Sequence, residues 1–61
     1  MPMMGKELRK HRKFLGLTQK QMADQVGLHW NSLARMERGE IGISEPVAKL
    51  IRLLVASREK G

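Results

Sequence analysis

The sequence predicts an all-α domain of four short helices, and three observations carry that expectation. One Phe, one Trp and no Tyr among 61 residues, with β-branched residues few and scattered, leave little from which to build strands. Apolar residues recur instead at helical spacing, in four runs. Between the runs stand Gly16, Thr18, Gly27, Gly39 and Ser44, residue types that stop or cap helices. A chain of this size buries only about 60% of the surface it exposes when unfolded, so each apolar position matters and a two-domain enzyme is excluded. Without Cys there is no disulfide or thiolate metal site to staple the fold, and nothing marks an oxidising compartment. One domain over 1–61 is expected, with an ordered core of about 5–56.

The first run places Met4, Leu8, His11 and Leu15 on one face, with basic residues on the other sides and Gly16 as the stop. His11 on that face reads as a half-buried packing residue. Thr18 then opens a second helix, and Gln21 three residues on completes a capping box. Met22, Ala23 and Val26 turn inward, and Gly27, able to take positive φ, ends a helix of barely two turns. Leu28 plugs the corner before a third helix from about Trp30 to Arg38, whose Leu33 and Met36 share a face and whose stop is Gly39.

Ile41, Gly42 and Ile43 form a loop with two apolar anchors. Ser44 caps a last helix that carries Glu45 and Pro46 in its first turn, where acid and proline are both favoured. Val47, Leu50, Ile51 and Leu54 make its core stripe, and adding Leu53 and Val55 widens the apolar arc to roughly 200°, more than one core requires. The polar tail Ser57–Gly61 is expected to fray.

The formal charge is +6, and it is concentrated. Lys6, Arg9, Lys10, Arg12, Lys13 and Lys20 face Glu7 alone in the first third of the chain, whereas later charges nearly balance. Such a patch points to a polyanion, either nucleic acid or an anionic membrane surface. No stretch approaches the roughly 18 to 20 apolar residues of a membrane span, and Met1–Gly5 lacks a signal-peptide core, so the cytoplasm is the default compartment. With Asp24 the only Asp, and His11 and His29 on different helices, no metal, cofactor or acid–base cluster is apparent and no enzyme is expected.

Gln19 to Arg38 is the most informative stretch. Ala23 lets two helices cross closely, Gly27 makes the turn, and Val26, Leu28 and Leu33 lock the angle so that the second helix projects from the surface. With Leu8, Arg12, Gly16, Leu17, Thr18, Gln19, Ala23, Gly27, Leu28, Leu33, Glu37, Arg38 and Gly39 at fixed spacing, residues of about 5–54 resemble the phage repressor and Cro-like helix-turn-helix family.

The resemblance implies a four-helix repressor-like domain with its helix-turn-helix at about 18–38 and a fifth helix reduced or absent. It implies binding to a double-stranded DNA operator as a transcriptional repressor or regulator, with the helix at about 30–38 in the major groove. Trp30, Asn31, Ser32 and Arg35 then fall at base-contacting positions. Asn can pair bidentately with adenine and Arg with guanine, which supports Asn31 and Arg35 on chemistry alone. Gln19, Lys20, His29, Arg38 and the loop at Gly42 and Ile43 fall at phosphate-contacting positions. Arg12 and Glu37 are implied to form a structural ion pair.

Two positions depart from the family. His29 stands where Ser or Thr is usual and, as a poor capping residue, predicts a looser helix start. Trp30 replaces a polar reader and suits a thymine methyl, a sugar edge or a lid over the motif itself. A homodimer, weak or DNA-assisted, is expected through Leu53 and Val55, because one short helix reads few base pairs. Two other readings compete. One is a protein-interaction or antitoxin-type adaptor docking through the same apolar flank, with a partner the sequence does not identify. The other is a basic amphipathic domain on membranes, against which the ordered turns at Gly27 and Gly39 argue.

Overall fold

The computed structural model describes residues 2–60, which form four helices: α1 (Gly5–Phe14), α2 (Gln19–Val26), α3 (Trp30–Glu37) and α4 (Glu45–Lys60). No strand occurs among the described residues. The all-α fold expected from the sequence is the fold observed.

The first three helices end in the same way. Gly16, Gly27 and Gly39 have φ of 70°, 73° and 77°, the left-handed region that glycine enters without steric cost. In each case the residue after the glycine donates its N–H to a carbonyl five residues back: Leu17 to Arg12 at 3.2 Å, Leu28 to Ala23 at 2.8 Å and Glu40 to Arg35 at 2.9 Å. The glycine N–H bonds Lys13, Asp24 or Met36 in turn, completing a Schellman motif that satisfies the last carbonyls of the helix. At the first two turns the residue after glycine is a Leu packed against the core. At the third it is Glu40, which is exposed.

The start of α2 carries the full capping box: Gln21 N–H donates to Thr18 Oγ1 at 3.1 Å, and Thr18 N–H donates to Gln21 Oε1 at 2.9 Å. Helix α4 begins with the Ala48 N–H donating to the Ser44 carbonyl at 2.9 Å, with Glu45 in the first turn where the helix dipole favours an acid.

Leu8, Met22, Leu33 and Ile51, one from each helix, are fully buried and meet at the centre. Ala23, Val26, Met36 and Ala48 complete this core, and Leu15, Leu17, Leu28, Ile41, Ile43, Val47 and Leu54 close its edges. Ala23 is fully buried where α2 and α3 pack, as a close helix crossing requires.

Three expectations need correction. Met4 is 65% exposed, and Met3 at 3% fills the core instead. The helix begins at Gly5 and Met4 is its extended N-cap, so the helical register assumed for Met4 does not apply. Leu50 is exposed, whereas Ala48 and Ile51 carry the buried stripe of α4; the wide apolar arc masked which edge faces inward. The polar end is helical through Lys60, with Arg58 and Lys60 in the last turn, where cations complement the dipole. Glu59 borders the same groove as Phe14 and Val55, so this last turn flanks the groove beside α1.

Gly5 positions the end of α3. A Cβ at residue 5 would lie 2.5 Å from the Met36 carbonyl oxygen and 2.6 Å from that of Glu37, so only glycine lets the start of α1 come this close.

Candidate nucleic-acid interface

The exposed face of α3 is held in place from beneath by one carboxylate. Arg12 on α1 donates from Nε to Glu37 Oε2 at 2.6 Å and from Nη2 to Oε1 at 3.2 Å. Its Nη1 donates to the Leu17 carbonyl at 3.0 Å. Gln19, the first residue of α2, donates its side-chain amide to Glu37 Oε1 at 3.2 Å. The Arg12 and Glu37 side chains are only 14% and 5% exposed. Glu37 thus ties α1, α2 and α3 together at one point, and neither charge is free for a ligand.

Above this anchor, Asn31 and Arg35 lie one turn apart on α3 and are both exposed. Trp30 beside them is 48% exposed, and Ser32 is half-buried. His29 is the N-cap of α3 and does cap it: its ring Nδ1 accepts the Asn31 N–H at 3.2 Å. The looser start expected there is therefore not found, because an imidazole nitrogen replaces the usual hydroxyl oxygen as acceptor. With Nδ1 accepting, the proton of the neutral ring sits on Nε2. The rings of His29 and Trp30 lie 5.8 Å apart, tilted by 33°.

At the other end of α3 the contact between Gln19 and Glu37 brings the head of α2, with exposed Lys20 beside it, next to the last turn. Arg38 follows as the exposed C-cap, and exposed Gly42 lies in the loop beyond. The sequence-predicted phosphate contacts therefore flank α3: His29 at its start, and Gln19, Lys20, Arg38 and Gly42 toward its end. Among them Gln19 is half-buried with its amide engaged.

Sequence reasoning missed Glu40. Its carboxylate accepts a hydrogen bond from Arg38 Nε through Oε2, and its Oε1 lies 3.5 Å from Arg35 Nε. The Arg38 hydrogen bond, reinforced by the charges of Arg38 and Arg35, holds the Glu40 carboxyl below the usual glutamate range, and Glu40 in turn raises Arg38. Glu40 follows the glycine stop, where an expectation of loop drew attention away from charge.

Leu53 and Val55 do not share a surface. Two residues apart on a helix they point about 200° away from each other. Leu53 is 59% exposed near exposed Leu50, whereas half-buried Val55 borders a groove with Phe14 and His11.

A short turn, an anchored second helix and an exposed polar face on it define the motif, and residues 4–60 match a helix-turn-helix domain family across it. The chain belongs to this helix-turn-helix domain family. No curated protein matches it. Membership agrees with the repressor and Cro-like resemblance of the sequence, suggests DNA as the partner, and places the chain in a family that is typically not enzymatic. Among the described residues of this helix-turn-helix domain, no helix is long and apolar enough to cross a membrane.

Proposed function

We propose that this domain binds double-stranded DNA sequence-specifically and acts as a transcriptional repressor or regulator by occupying an operator. Helix α3 lies in the major groove, with Asn31 and Arg35 on base edges and Trp30 and Ser32 alongside. The observation that carries this reading is the exposed Asn31–Arg35 face on a helix fixed from beneath by Glu37. His29 Nε2, Lys20, Arg38 and the Gly42 backbone N–H contact phosphates. Gln19 contributes its own backbone N–H, which at a helix start has no partner within the helix.

Helix α3 has eight residues and spans about 12 Å at 1.5 Å per residue, enough for only a few base pairs. A second copy supplies the other half-site, so the domain pairs weakly or on DNA. The Leu50–Leu53 flank of α4 is the pairing surface, with Val55 outside it. Sedimentation over a concentration range, with duplex present and absent, tests this. Leu53→Glu should weaken association, and an unchanged profile would remove that flank from the interface.

Selection from a random duplex library is the decisive experiment for function. An enriched palindromic motif is expected, together with an affinity that falls about 10³- to 10⁵-fold between about 50 and 200 mM salt if six to ten phosphates are neutralised. The exposed Leu50 and Leu53 favour a second reading, an adaptor or antitoxin-type surface for a protein partner. Failure to enrich any motif would favour it over DNA reading.

A further inference from the structure

We propose that Glu40 is a specificity-determining residue of this interface: its carboxylate orients Arg35 toward base edges and away from indiscriminate contact with phosphate, and tempers the phosphate contact of Arg38. The proposal rests on the reading of α3 as the DNA-contacting helix.

The backbone sets the position of Glu40. Gly39 at φ 77° and the 2.9 Å bond from Glu40 N–H to the Arg35 carbonyl fix residue 40 over the turn of α3 that carries Arg35. In a Schellman motif the side chain after the glycine commonly makes an apolar contact with the residue five positions back. At the two equivalent turns Leu17 and Leu28 pack against the core. At the third turn an ion pair takes the place of that contact, with Glu40 Oε1 3.5 Å from Arg35 Nε. The substitution of charge for packing is confined to the one turn that ends the proposed reading helix.

The geometry also distinguishes the two kinds of DNA contact. Glu40 meets Arg35 at Nε, and among the described residues no hydrogen bond engages its terminal Nη1 and Nη2. That fork is the pair of donors that fits guanine O6 and N7, so a base contact can form while the Glu40 carboxylate stays beside Nε. A phosphate contact gains nothing from such orientation. It meets instead a carboxylate that neutralises the two nearest cations and repels the DNA backbone. Glu40 therefore weakens non-selective binding more than selective binding.

The test compares the wild-type chain with Glu40→Gln, which keeps the side-chain shape, on the duplex enriched by library selection and on a scrambled duplex. Fluorescence anisotropy is read between about 50 and 200 mM salt. For Glu40→Gln, affinity for the scrambled duplex should rise roughly three- to tenfold at the lower salt and its log–log salt slope should steepen by about one. Affinity for the selected duplex should change less, so the ratio between the two falls. In an Arg35→Ala background, Glu40→Gln should still raise scrambled binding through Arg38, but should no longer alter preference at the base pair that Arg35 reads. Equal ratios and slopes for wild type and Glu40→Gln, from a wild type that is itself selective, would overturn the role of Glu40 alone. A wild type that binds no duplex, or shows no preference, would overturn the DNA reading and this proposal together.

Discussion

Arg12 and Glu37 meet in a two-point ion pair, 2.6 Å and 3.2 Å, that joins the first helix to the last residue of the third. The pair is largely withdrawn from water, so the two members are not equivalent to a surface bridge. Removing Arg12 leaves a carboxylate beneath α3 with only the Gln19 amide to answer it. Arg12→Ala should therefore destabilise by about 3 to 5 kcal/mol, a large fraction of what a small domain possesses. Replacing both partners together, Arg12→Met with Glu37→Leu, should cost clearly less, because no charge is stranded. Urea unfolding of the single and double variants checks this, and a double variant as unstable as Arg12→Ala would refute it.

Gly5 and Gly42 should respond in opposite ways to alanine. A Cβ at Gly5 meets two carbonyl oxygens at 2.5 Å and 2.6 Å, whereas at Gly42 nothing lies within 4 Å. Alanine is the better helix former, yet Gly5→Ala must push α1 away from the end of α3. A loss of about 1 to 3 kcal/mol is expected. Gly42→Ala should be neutral or stabilise by a few tenths of a kcal/mol, roughly the entropy removed from the unfolded chain. Thermal melts of both variants decide the matter.

The His29 cap predicts a pattern across three side chains. Its Nδ1 accepts the Asn31 N–H at 3.2 Å, so His29→Ala should cost about 0.5 to 1 kcal/mol and His29→Asn, whose side-chain oxygen is a good acceptor, should cost less or nothing. Hydrogen exchange at the Asn31 amide reports the cap directly. Faster exchange in the alanine variant and protection in the asparagine variant are expected; a wild type that exchanges as fast as the alanine variant would show that the ring does not cap.

What the sequence disclosed and what it concealed divide along local and non-local lines. The capping box at Thr18 and Gln21, the stops at Gly16, Gly27 and Gly39 and the inward face of α2 depend on neighbours a few residues away, and each was legible. The Arg12–Glu37 pair spans 25 residues and was legible only through family resemblance. Met3 in place of Met4, the close approach at Gly5 and the burial of Ala48 depend on how helices meet, which periodicity does not encode. Small residues show this most clearly. Ala48 adds little to an apolar stripe, yet a larger side chain could not occupy its place without moving α4. Glu40 escaped because its significance comes from the side chains of Arg35 and Arg38, brought around it by the turn at Gly39.

That cluster yields a pH prediction whose sign is fixed. Donation from Arg38, with the added charges of Arg38 and Arg35, lowers the Glu40 pKa in the folded domain. A carboxyl with a depressed folded pKa binds its proton more readily in the unfolded chain. Its contribution to stability is therefore present above the unfolded value and is lost as pH falls through the folded one. Glu40 is exposed, so the effect on stability is small and weakens with salt. The titration of the Glu40 side-chain carboxyl carbon by NMR is the sensitive measurement. Its midpoint should move upward in Arg38→Ala and, by a smaller step, in Arg35→Ala, since the hydrogen bond comes from Arg38. Added salt should move the wild-type midpoint in the same direction. A midpoint unaltered by Arg38→Ala would mean that the carboxylate is not held there, and the orientation of Arg35 by Glu40 would lose its structural basis.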